Sequence, residues 1–365
     1  MAKAAPSRIL VRAPNWIGDQ ILAFPFYHYL RKAYPQAHIT SICVEWARDC
    51  QFRDLVNEVH VLPRDVAHGA WGKFNYLESV AAPLRARPPW DLAISLPNSF
   101  SAAYLLYRSG ARRRRGYRYE GRGFLLNDGL AWDPSPSRHR AQAYVDLLPP
   151  EARPEREVLE FWGIPPENEL DQTIPGEMET FDPVRSWQAT SPLQPPEGEY
   201  WVLAPGATAE SRRWSLLSFL ELGKKIHAET GLKGVIVGSA KEAPLASELC
   251  ASAKGCFKDL TAQGPVSGLW KVFRHSKFTV TNESGLAHVA ALCGAFVQII
   301  CGAADPRRTQ PLGPGKIQIA VNPVDCWPCE RNICSQPTES KLQCLKGISV
   351  DTVWGEIRRG IRLSS

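Results

Sequence analysis

The sequence predicts an α/β protein built from two Rossmann-like domains. The chain has 365 residues, which exceeds the roughly 250–300 residues that a single hydrophobic core usually serves. Short apolar runs alternate with helical patterns in both halves, as in parallel sheets covered by helices. A segment rich in Pro, Glu, Gln and Thr separates the halves. We therefore predict domains at residues 1–170 and 200–350, a linker at 171–199 and a final helix within 351–365.

Each half contains the same alternation of elements. Apolar runs predict strands at residues 8–11, 38–43, 59–62 and 92–96, and again at 200–204, 234–237, 278–281 and 296–301. Apolar residues at helical spacing predict helices at 18–32, 71–87, 215–229, 242–253, 284–292 and 351–363. Ligands of open parallel sheets bind beyond the carboxyl ends of the strands. We therefore expect the functional residues in loops that directly follow strands.

Composition narrows the class of protein. Hydrophobic residues make up 44% and charged residues 22%, which is typical of soluble globular proteins. The sequence contains no apolar run of about 18–20 residues and no signal-peptide pattern, so we expect a cytoplasmic protein. It also lacks the P-loop, G-x-G-x-x-G, H-E-x-x-H, G-x-S-x-G and D-x-D patterns, which disfavours P-loop nucleotidases, dinucleotide dehydrogenases and metal-dependent sugar transferases.

The loop after the first strand contains a candidate general base. Asp19 falls in the first turn of the helix at 18–32, where a carboxylate can accept a proton from a bound hydroxyl. Gly18 would let a ligand approach the backbone closely. The alternative is that Asp19 only stabilises the helix N-terminus through the helix dipole.

Three loops of the second half suit a nucleotide with a diphosphate. Small residues let backbone amides approach a phosphate closely, and a following arginine can bind it with two parallel hydrogen bonds. A carboxylate can accept hydrogen bonds from sugar hydroxyls. The alternatives are an ordinary exposed loop and a structural histidine. The candidates are Pro205, Gly206, Ala207, Thr208, Arg212, Gly238, Ser239, Glu283, Ser284, Gly285 and His288.

An arginine-rich segment lies in the first half. The net charge is only +6, but seven arginines and one acid, Glu120, lie between Arg108 and Arg122. This pattern fits a basic patch that binds an anionic partner. A solvated loop is the alternative.

Several of these stretches together resemble the ADP-heptose:lipopolysaccharide heptosyltransferase family, which is glycosyltransferase family 9. The resemblance covers most of the chain, with the matching motifs in the same order and at similar spacing. The motifs are residues 9–19, 96–100, 116–128, 205–214, 238–241 and 281–288.

The resemblance implies a GT-B fold, with an acceptor domain and a nucleotide-sugar domain facing across a cleft and the last helix returning to the N-terminal domain. It implies inverting, metal-independent transfer of heptose from ADP-heptose to a hydroxyl of the Kdo–lipid A inner core, with Asp19 as base and no catalytic cofactor. Arg212 stands where the family usually has Lys, and Glu283 where it usually has Asp. The implied acceptor-binding residues are Asn98, Ser99, Arg115, Arg118 and Arg122. An anionic lipid acceptor further implies contact with the inner leaflet of the inner membrane.

Four cysteines form a cluster with the spacing C-x2-C-x4-C-x9-C: Cys326, Cys329, Cys334 and Cys344. Four thiolates at such spacing can hold structural zinc or iron, and some related heptosyltransferases that modify autotransporter proteins carry an iron site of four cysteines. Disulfides and free thiols are the alternatives. In each case we expect a structural role.

Two other functions remain open from the sequence. The first is a protein O-heptosyltransferase of the autotransporter type, or a GT-B transferase that uses another nucleotide sugar. The second, more remote, is a nucleic-acid-binding protein with a zinc ribbon; the resemblance implies no nucleic-acid partner.

Overall fold

The computed structural model describes residues 5–64, 69–133, 135, 138–155, 157–158, 162, 182–188 and 192–362. The chain divides into two compact units, Met1–Glu177 and Met178–Ser365. The division falls within the segment predicted as the linker, much of which lies outside the described residues. In the part of the chain that is described, no helix is both long and apolar enough to cross a membrane.

The first unit contains a six-stranded parallel sheet. Its strands are β1 (Arg8–Arg12), β2 (His38–Val44), β3 (Glu58–Leu62), β4 (Leu92–Ser95), β5 (Arg113–Arg118) and β6 (Asp128–Ala131). Their order is β3-β2-β1-β4-β5-β6, which is the doubly wound Rossmann order. The order reverses between β1 and β4, so the loops after these two strands flank the place where such sheets bind ligands.

Helices connect these strands. They are α1 (Ile17–Leu22), α2 (Phe24–Ala33), α3 (Gly69–Arg85), α4 (Phe100–Arg108) and α5 (Arg140–Val145). The single helix predicted over 18–32 is two helices that meet at Ala23. Pro25 explains the break, because it lies in the first turn of α2, where a missing N–H costs nothing.

The second unit repeats this architecture. Its strands are β7 (Tyr200–Ala204), β8 (Lys233–Ile236), β9 (Phe257–Asp259), β10 (Thr279–Asn282), β11 (Val297–Cys301) and β12 (Ile317–Val321). Their order, β12-β11-β10-β7-β8-β9, is again the Rossmann order, with its reversal between β7 and β10. The helices are α6 (Leu216–Thr230), α7 (Ala243–Ser252), α8 (Trp270–Arg274), α9 (Gly285–Leu292), α10 (Pro306–Thr309), α11 (Gln343–Lys346) and α12 (Val350–Arg362).

The C-terminal helix α12 packs in the core of the second unit. Its Val353, Trp354 and Ile357 are buried there, and the Trp354 ring lies 6.3 Å from that of Phe278. The resemblance had placed this helix on the N-terminal domain. The buried side chains of the helix are covered by elements of its own unit, and its contact with the N-terminal domain stays a prediction.

The arginine-rich segment is a strand. Residues 113–118 form β5, between β4 and β6. For these residues the alternative of a solvated loop is therefore wrong, and the basic patch that binds an anionic partner stays a prediction. The polar sequence hides the strand, since only one of its arginines, Arg115, is buried.

Candidate functional site

Asp19 lies in the first turn of α1, directly after the loop that follows β1. Its side chain is 28% exposed, and Arg140 Nε lies 4.0 Å from its Oδ1 atom. The buried Tyr144 hydroxyl donates a hydrogen bond to the carboxylate. Burial raises the pKa of Tyr144 well above its ordinary value, and the Asp19 charge raises it further. Tyr144 therefore remains a hydrogen-bond donor near neutral pH, holding a carboxylate that solvent can still reach.

The loop before Asp19 is held by a buried arginine. Arg12 is 6% exposed; its Nη2 atom donates to Asn15 Oδ1 at 2.5 Å, and its Nη1 atom donates to the carbonyl of Ala13. Trp46 Nε1 also donates to the Asn15 carbonyl, at 2.6 Å. Burial lowers the pKa of Arg12 to about 10. These bonds fix the loop, with Gly18 buried in the same turn as Asp19.

Arg122 organises the loop after β4. It is fully buried, and its Nη2 atom donates to Asn98 Oδ1 at 2.7 Å. Its Nη1 atom donates to the carbonyls of Pro97 at 2.8 Å and Ser99 at 3.1 Å. The Ser99 hydroxyl accepts from the Ala102 amide and caps α4. Arg122 was predicted to bind the acceptor, but its guanidinium is enclosed, so its role is to position Asn98 and Ser99.

Arg115 is likewise engaged inside the first unit. Its Nη1 atom donates to Asp128 Oδ2 at 2.7 Å, and its Nε and Nη2 atoms donate to the carbonyls of Leu147 and Leu148. It is 4% exposed, which contradicts direct contact with an acceptor. Arg118, by contrast, is exposed and lies over Gly129, so it can still reach a ligand.

Asn282 joins two strand ends of the second unit. Its side chain is fully buried at the end of β10. Its Nδ2 atom donates to the Pro205 carbonyl at 2.6 Å, and its Oδ1 atom accepts from the Trp214 amide at 3.0 Å. Both ends of the loop after β7 are therefore fixed by one residue, which the sequence analysis did not single out.

Arg212 and Glu283 meet beside this clamp. Arg212 Nη1 lies 2.9 Å from Glu283 Oε2. Ser284 follows and precedes α9, whose first amides have no carbonyl partner within the helix. His288 is buried one turn further along α9, in line with the spacing from Ser284. The structure therefore brings a cation, a carboxylate and helix amides to one edge of the sheet.

Glu242 fills the space between the two glycine-containing loops. A Cβ atom on Gly206 would lie 2.7 Å from Glu242 Cγ, and one on Gly238 would lie 2.9 Å from Glu242 Cβ. The Glu242 carboxylate accepts hydrogen bonds from the amide and hydroxyl of Ser239, at 2.8 and 2.6 Å. Both glycines are thus required by close packing of this side chain, which sequence reasoning missed.

Arg213 stabilises the loop after β7 through two hydrogen bonds to its backbone. Its Nε atom donates to the Ala207 carbonyl at 2.6 Å and its Nη2 atom to the Thr208 carbonyl at 2.9 Å. The two adjacent arginines therefore differ in role, since Arg213 braces the loop while Arg212 pairs with Glu283.

The cysteine-rich loop docks on the loop after β7 through Ser211. The buried Ser211 amide donates to the Asn332 carbonyl at 3.2 Å, and its hydroxyl donates to the Arg331 carbonyl. Trp327 Nε1 donates to the Gly302 carbonyl at 2.8 Å. The loop is therefore a structural support for the residue that precedes Arg212.

The four clustered cysteines form no disulfide within the described residues. Burial raises the pKa of the Cys344 thiol, and the charges of Cys326, Cys329 and Cys334 raise it further, so the four sulfurs lie in one neighbourhood. Across the residues that the structure describes, however, no group of three or more His, Cys, Asp or Glu side chains is placed to hold a metal ion. The predicted structural zinc or iron is therefore not supported.

Two Rossmann-like units, each with a six-stranded parallel sheet in the doubly wound order, form the architecture of the GT-B fold class. The profile of glycosyltransferase family 9 (heptosyltransferase) matches residues 80–339, and the chain belongs to this family. The predicted fold class and the predicted enzyme class are confirmed.

Two curated proteins and one solved structure that are similar to this chain are named as heptosyltransferases. The chain is 27% identical over 326 residues to lipooligosaccharide heptosyltransferase 2 of Haemophilus ducreyi, covering 86% of this chain and 88% of the relative. It is 29% identical over 324 residues to lipopolysaccharide heptosyltransferase 2 of Escherichia coli, covering 84% and 85%. The solved structure of E. coli ADP-heptose lps heptosyltransferase II matches with a TM-score of 0.74 at 24% identity, covering 98% of this chain and 99% of that one. This last match shows the shared fold.

Proposed function

We propose that the protein transfers heptose from ADP-heptose to a hydroxyl of the lipopolysaccharide inner core. The observation that carries the proposal is the similarity to two enzymes named heptosyltransferase 2 over more than four-fifths of each chain. The residues after β1, β7 and β10 supply the groups that such a transfer requires.

Asp19 acts as the general base. Inversion at the anomeric carbon is a single displacement, in which the acceptor hydroxyl attacks as the ADP leaves. A carboxylate must take the hydroxyl proton as the new bond forms, and a positioned base contributes about 10²–10⁴-fold to such a step. The hydrogen bond from Tyr144 supports this role because it orients the carboxylate while leaving it 28% exposed.

Arg212 and the first amides of α9 bind the diphosphate. Negative charge develops on the β-phosphate as the ADP leaves, and a fixed cation with oriented amides stabilises it. Glu283 holds Arg212 in place and accepts hydrogen bonds from hydroxyls of the donor. The proposed reaction uses no metal, since this cation takes the part that a divalent ion plays in D-x-D transferases.

The acceptor is anionic and anchored in lipid, so we place the enzyme at the cytoplasmic surface of the inner membrane. Asn98, Ser99 and Arg118 are the candidate acceptor contacts, with Arg122 positioning Asn98 and Ser99.

Product analysis tests this function. The purified protein is incubated with ADP-heptose and a heptosylated Kdo–lipid A acceptor, with EDTA present, and the product is analysed by mass spectrometry. We expect the mass of one heptose residue to be added, and NMR to show an anomeric configuration opposite to that of the donor. A parallel reaction with autotransporter protein tests the alternative acceptor. Transfer to protein alone would overturn the lipid assignment, and transfer to neither would overturn the donor assignment.

A further inference from the structure

Five aromatic rings form a continuous row on the surface of the first unit. Ring centroids are 5.5 Å apart for Trp71 and Phe74, 6.1 Å for Phe74 and Tyr104, 6.3 Å for Tyr104 and Phe100, and 6.2 Å for Phe100 and Phe124. We call these five residues the aromatic row. They come from α3, from α4 and from the turn after β5, so the fold brings together rings that are distant in sequence.

Four of the five rings are exposed, while Tyr104 is partly buried against Ala103, Leu125 and Leu126. Trp71 is 75% exposed, Phe124 76%, Phe100 46% and Phe74 42%. Single exposed aromatics are common, but contiguous exposed apolar groups of this kind mark interaction sites. Because much of their apolar surface is exposed, these rings contribute little to the stability of the fold. Their contiguous arrangement instead indicates a site that binds a partner.

The charge around the row is positive. The Glu78 carboxylate, which touches the row, accepts from the Tyr104 hydroxyl and is neutralised by its pair with Arg108. Arg114 lies 5.5 Å over the ring of Tyr107, in the last turn of α4. Lys73, between the first two rings of the row, is exposed. Aromatic rings bordered by Lys and Arg are the combination that settles at the headgroup level of an anionic bilayer.

We propose that the aromatic row is a docking surface for an anionic lipid bilayer, with the rings entering the interface and the neighbouring cations facing lipid phosphates. This inference rests on the proposed function in one respect, since a lipid-anchored acceptor is what makes docking useful. It assigns membrane contact to apolar rings of α3, α4 and the turn after β5. Among the other arginines of the run from 108 to 122, Arg113 and Arg115 are instead paired with Asp128, and Arg122 is held by backbone carbonyls.

Vesicle co-sedimentation tests the surface. The full chain is mixed with vesicles of phosphatidylcholine that contain phosphatidylglycerol, and with vesicles of phosphatidylcholine alone. We expect preference for the anionic vesicles, and we expect Trp71→Ser/Phe124→Ser to weaken binding about tenfold or more, as removal of two inserted rings should. The matched control is Leu217→Ser, which removes a side chain that is 62% exposed on α6 of the other unit.

A transfer assay with a delipidated, water-soluble inner-core acceptor separates this inference from the proposed function. If docking is the role of the row, the double variant retains wild-type turnover on the soluble acceptor. Wild-type vesicle binding by the double variant would overturn the inference, as would equal binding to neutral vesicles. Lost turnover on the soluble acceptor with vesicle binding intact would also overturn it, because the rings would then stack on acceptor sugars. Absent transfer by the wild-type chain, with vesicle binding as expected, would instead count against the proposed function.

Discussion

Arg212 Nη1 and Glu283 Oε2 lie 2.9 Å apart and connect the loop after β7 with the end of β10. The Glu283 side chain is 9% exposed and the Arg212 side chain 33%. The pair is therefore partly shielded from water, and each residue fixes the position of the other. Because Arg212 is proposed to hold the diphosphate and Glu283 the donor hydroxyls, their geometry couples the two halves of donor recognition.

We expect Arg212→Ala to raise the KM for ADP-heptose about 10–100-fold. The change removes the proposed charge-assisted hydrogen bond from Arg212 to the diphosphate, which contributes about 1.5–3 kcal/mol. It also leaves the Glu283 carboxylate facing the anionic donor without its arginine partner. Steady-state kinetics with varied ADP-heptose measures the effect, and Arg359→Ala, an exposed arginine on α12, is the control. The double variant Arg212→Ala/Glu283→Gln should recover part of the loss; strictly additive effects would contradict the coupling.

Asp19→Asn should lower kcat by about 10²–10⁴-fold, the usual contribution of a positioned base. Binding of ADP-heptose, measured by calorimetry, should stay within a few-fold of wild type, because Asp19 lies in the first unit. Tyr144→Phe should give a smaller decrease, since it only removes the hydrogen bond that orients the carboxylate. Asp49→Asn, an exposed carboxylate of the same unit, is the control. Unchanged turnover in Asp19→Asn would remove Asp19 as the base.

Asn282→Ala should lower the free energy of unfolding by about 1–3 kcal/mol, because it leaves the buried Pro205 carbonyl and Trp214 amide without their partner. It should also raise the KM for ADP-heptose, since the loop that carries Arg212 loses its clamp. Urea denaturation and donor titration measure the two effects. Asn75→Ala, at an exposed position of α3, should change neither. A variant with normal stability and normal KM would show that Asn282 does not act as the clamp.

Asp128 should make the first unit sensitive to acid. Partial burial favours the neutral acid, but hydrogen bonds from Arg115 and Arg113 outweigh it and lower the pKa of Asp128 below its ordinary 3.8. A group with a lowered pKa in the folded state adds stability above its unfolded pKa, and that stability is lost as the pH falls through the folded value. Asp128→Asn should therefore destabilise the protein at pH 6–7, and this deficit should shrink as the pH falls from about 4 through the lowered folded pKa. Thermal unfolding across this range measures it; a constant deficit at all pH values would contradict the ion-pair explanation.

The central strands were predictable from the sequence because both of their faces are covered. β1, β4, β7 and β11 read as continuous apolar runs, which is typical of buried parallel strands. Four strands at or next to the sheet edges were not predicted, namely β5, β6, β9 and β12, whereas the edge strand β3 and the strands β2, β8 and β11 next to an edge were. Most of the residues in the four missed strands are only partly buried or exposed, and charged residues or Gly interrupt the apolar residues in β5, β6 and β9.

The site was predictable in part, for a different reason. Residues after β1, β7 and β10 were identified because the Rossmann order brings the end of each of these strands to the point of reversal of its sheet, and those after β8 lie one strand away. Tyr144, Glu242 and Asn282 were missed, since their partners are set by tertiary contacts. The neighbouring sequence around Asn282 did give one signal, a polar side chain at the end of an apolar strand. The sequence contained no signal that Arg115 and Arg122 are buried, because their hydrogen-bond acceptors are mostly backbone carbonyls of separate segments.

The position of β1 in the middle of its sheet has a consequence for synthesis of the chain. β1 is made first and pairs with β2 early, but its other partner is β4, where Ile9 faces Leu92. Until β4 has left the ribosome, one edge of an apolar strand has no neighbour, and such edges promote aggregation. The second unit has the same delay, since Val202 of β7 waits for Thr279 of β10. Slow or interrupted translation between these strands should therefore lower the soluble yield more than pauses elsewhere, and shortened versions of either unit need to extend through the late strand to remain soluble.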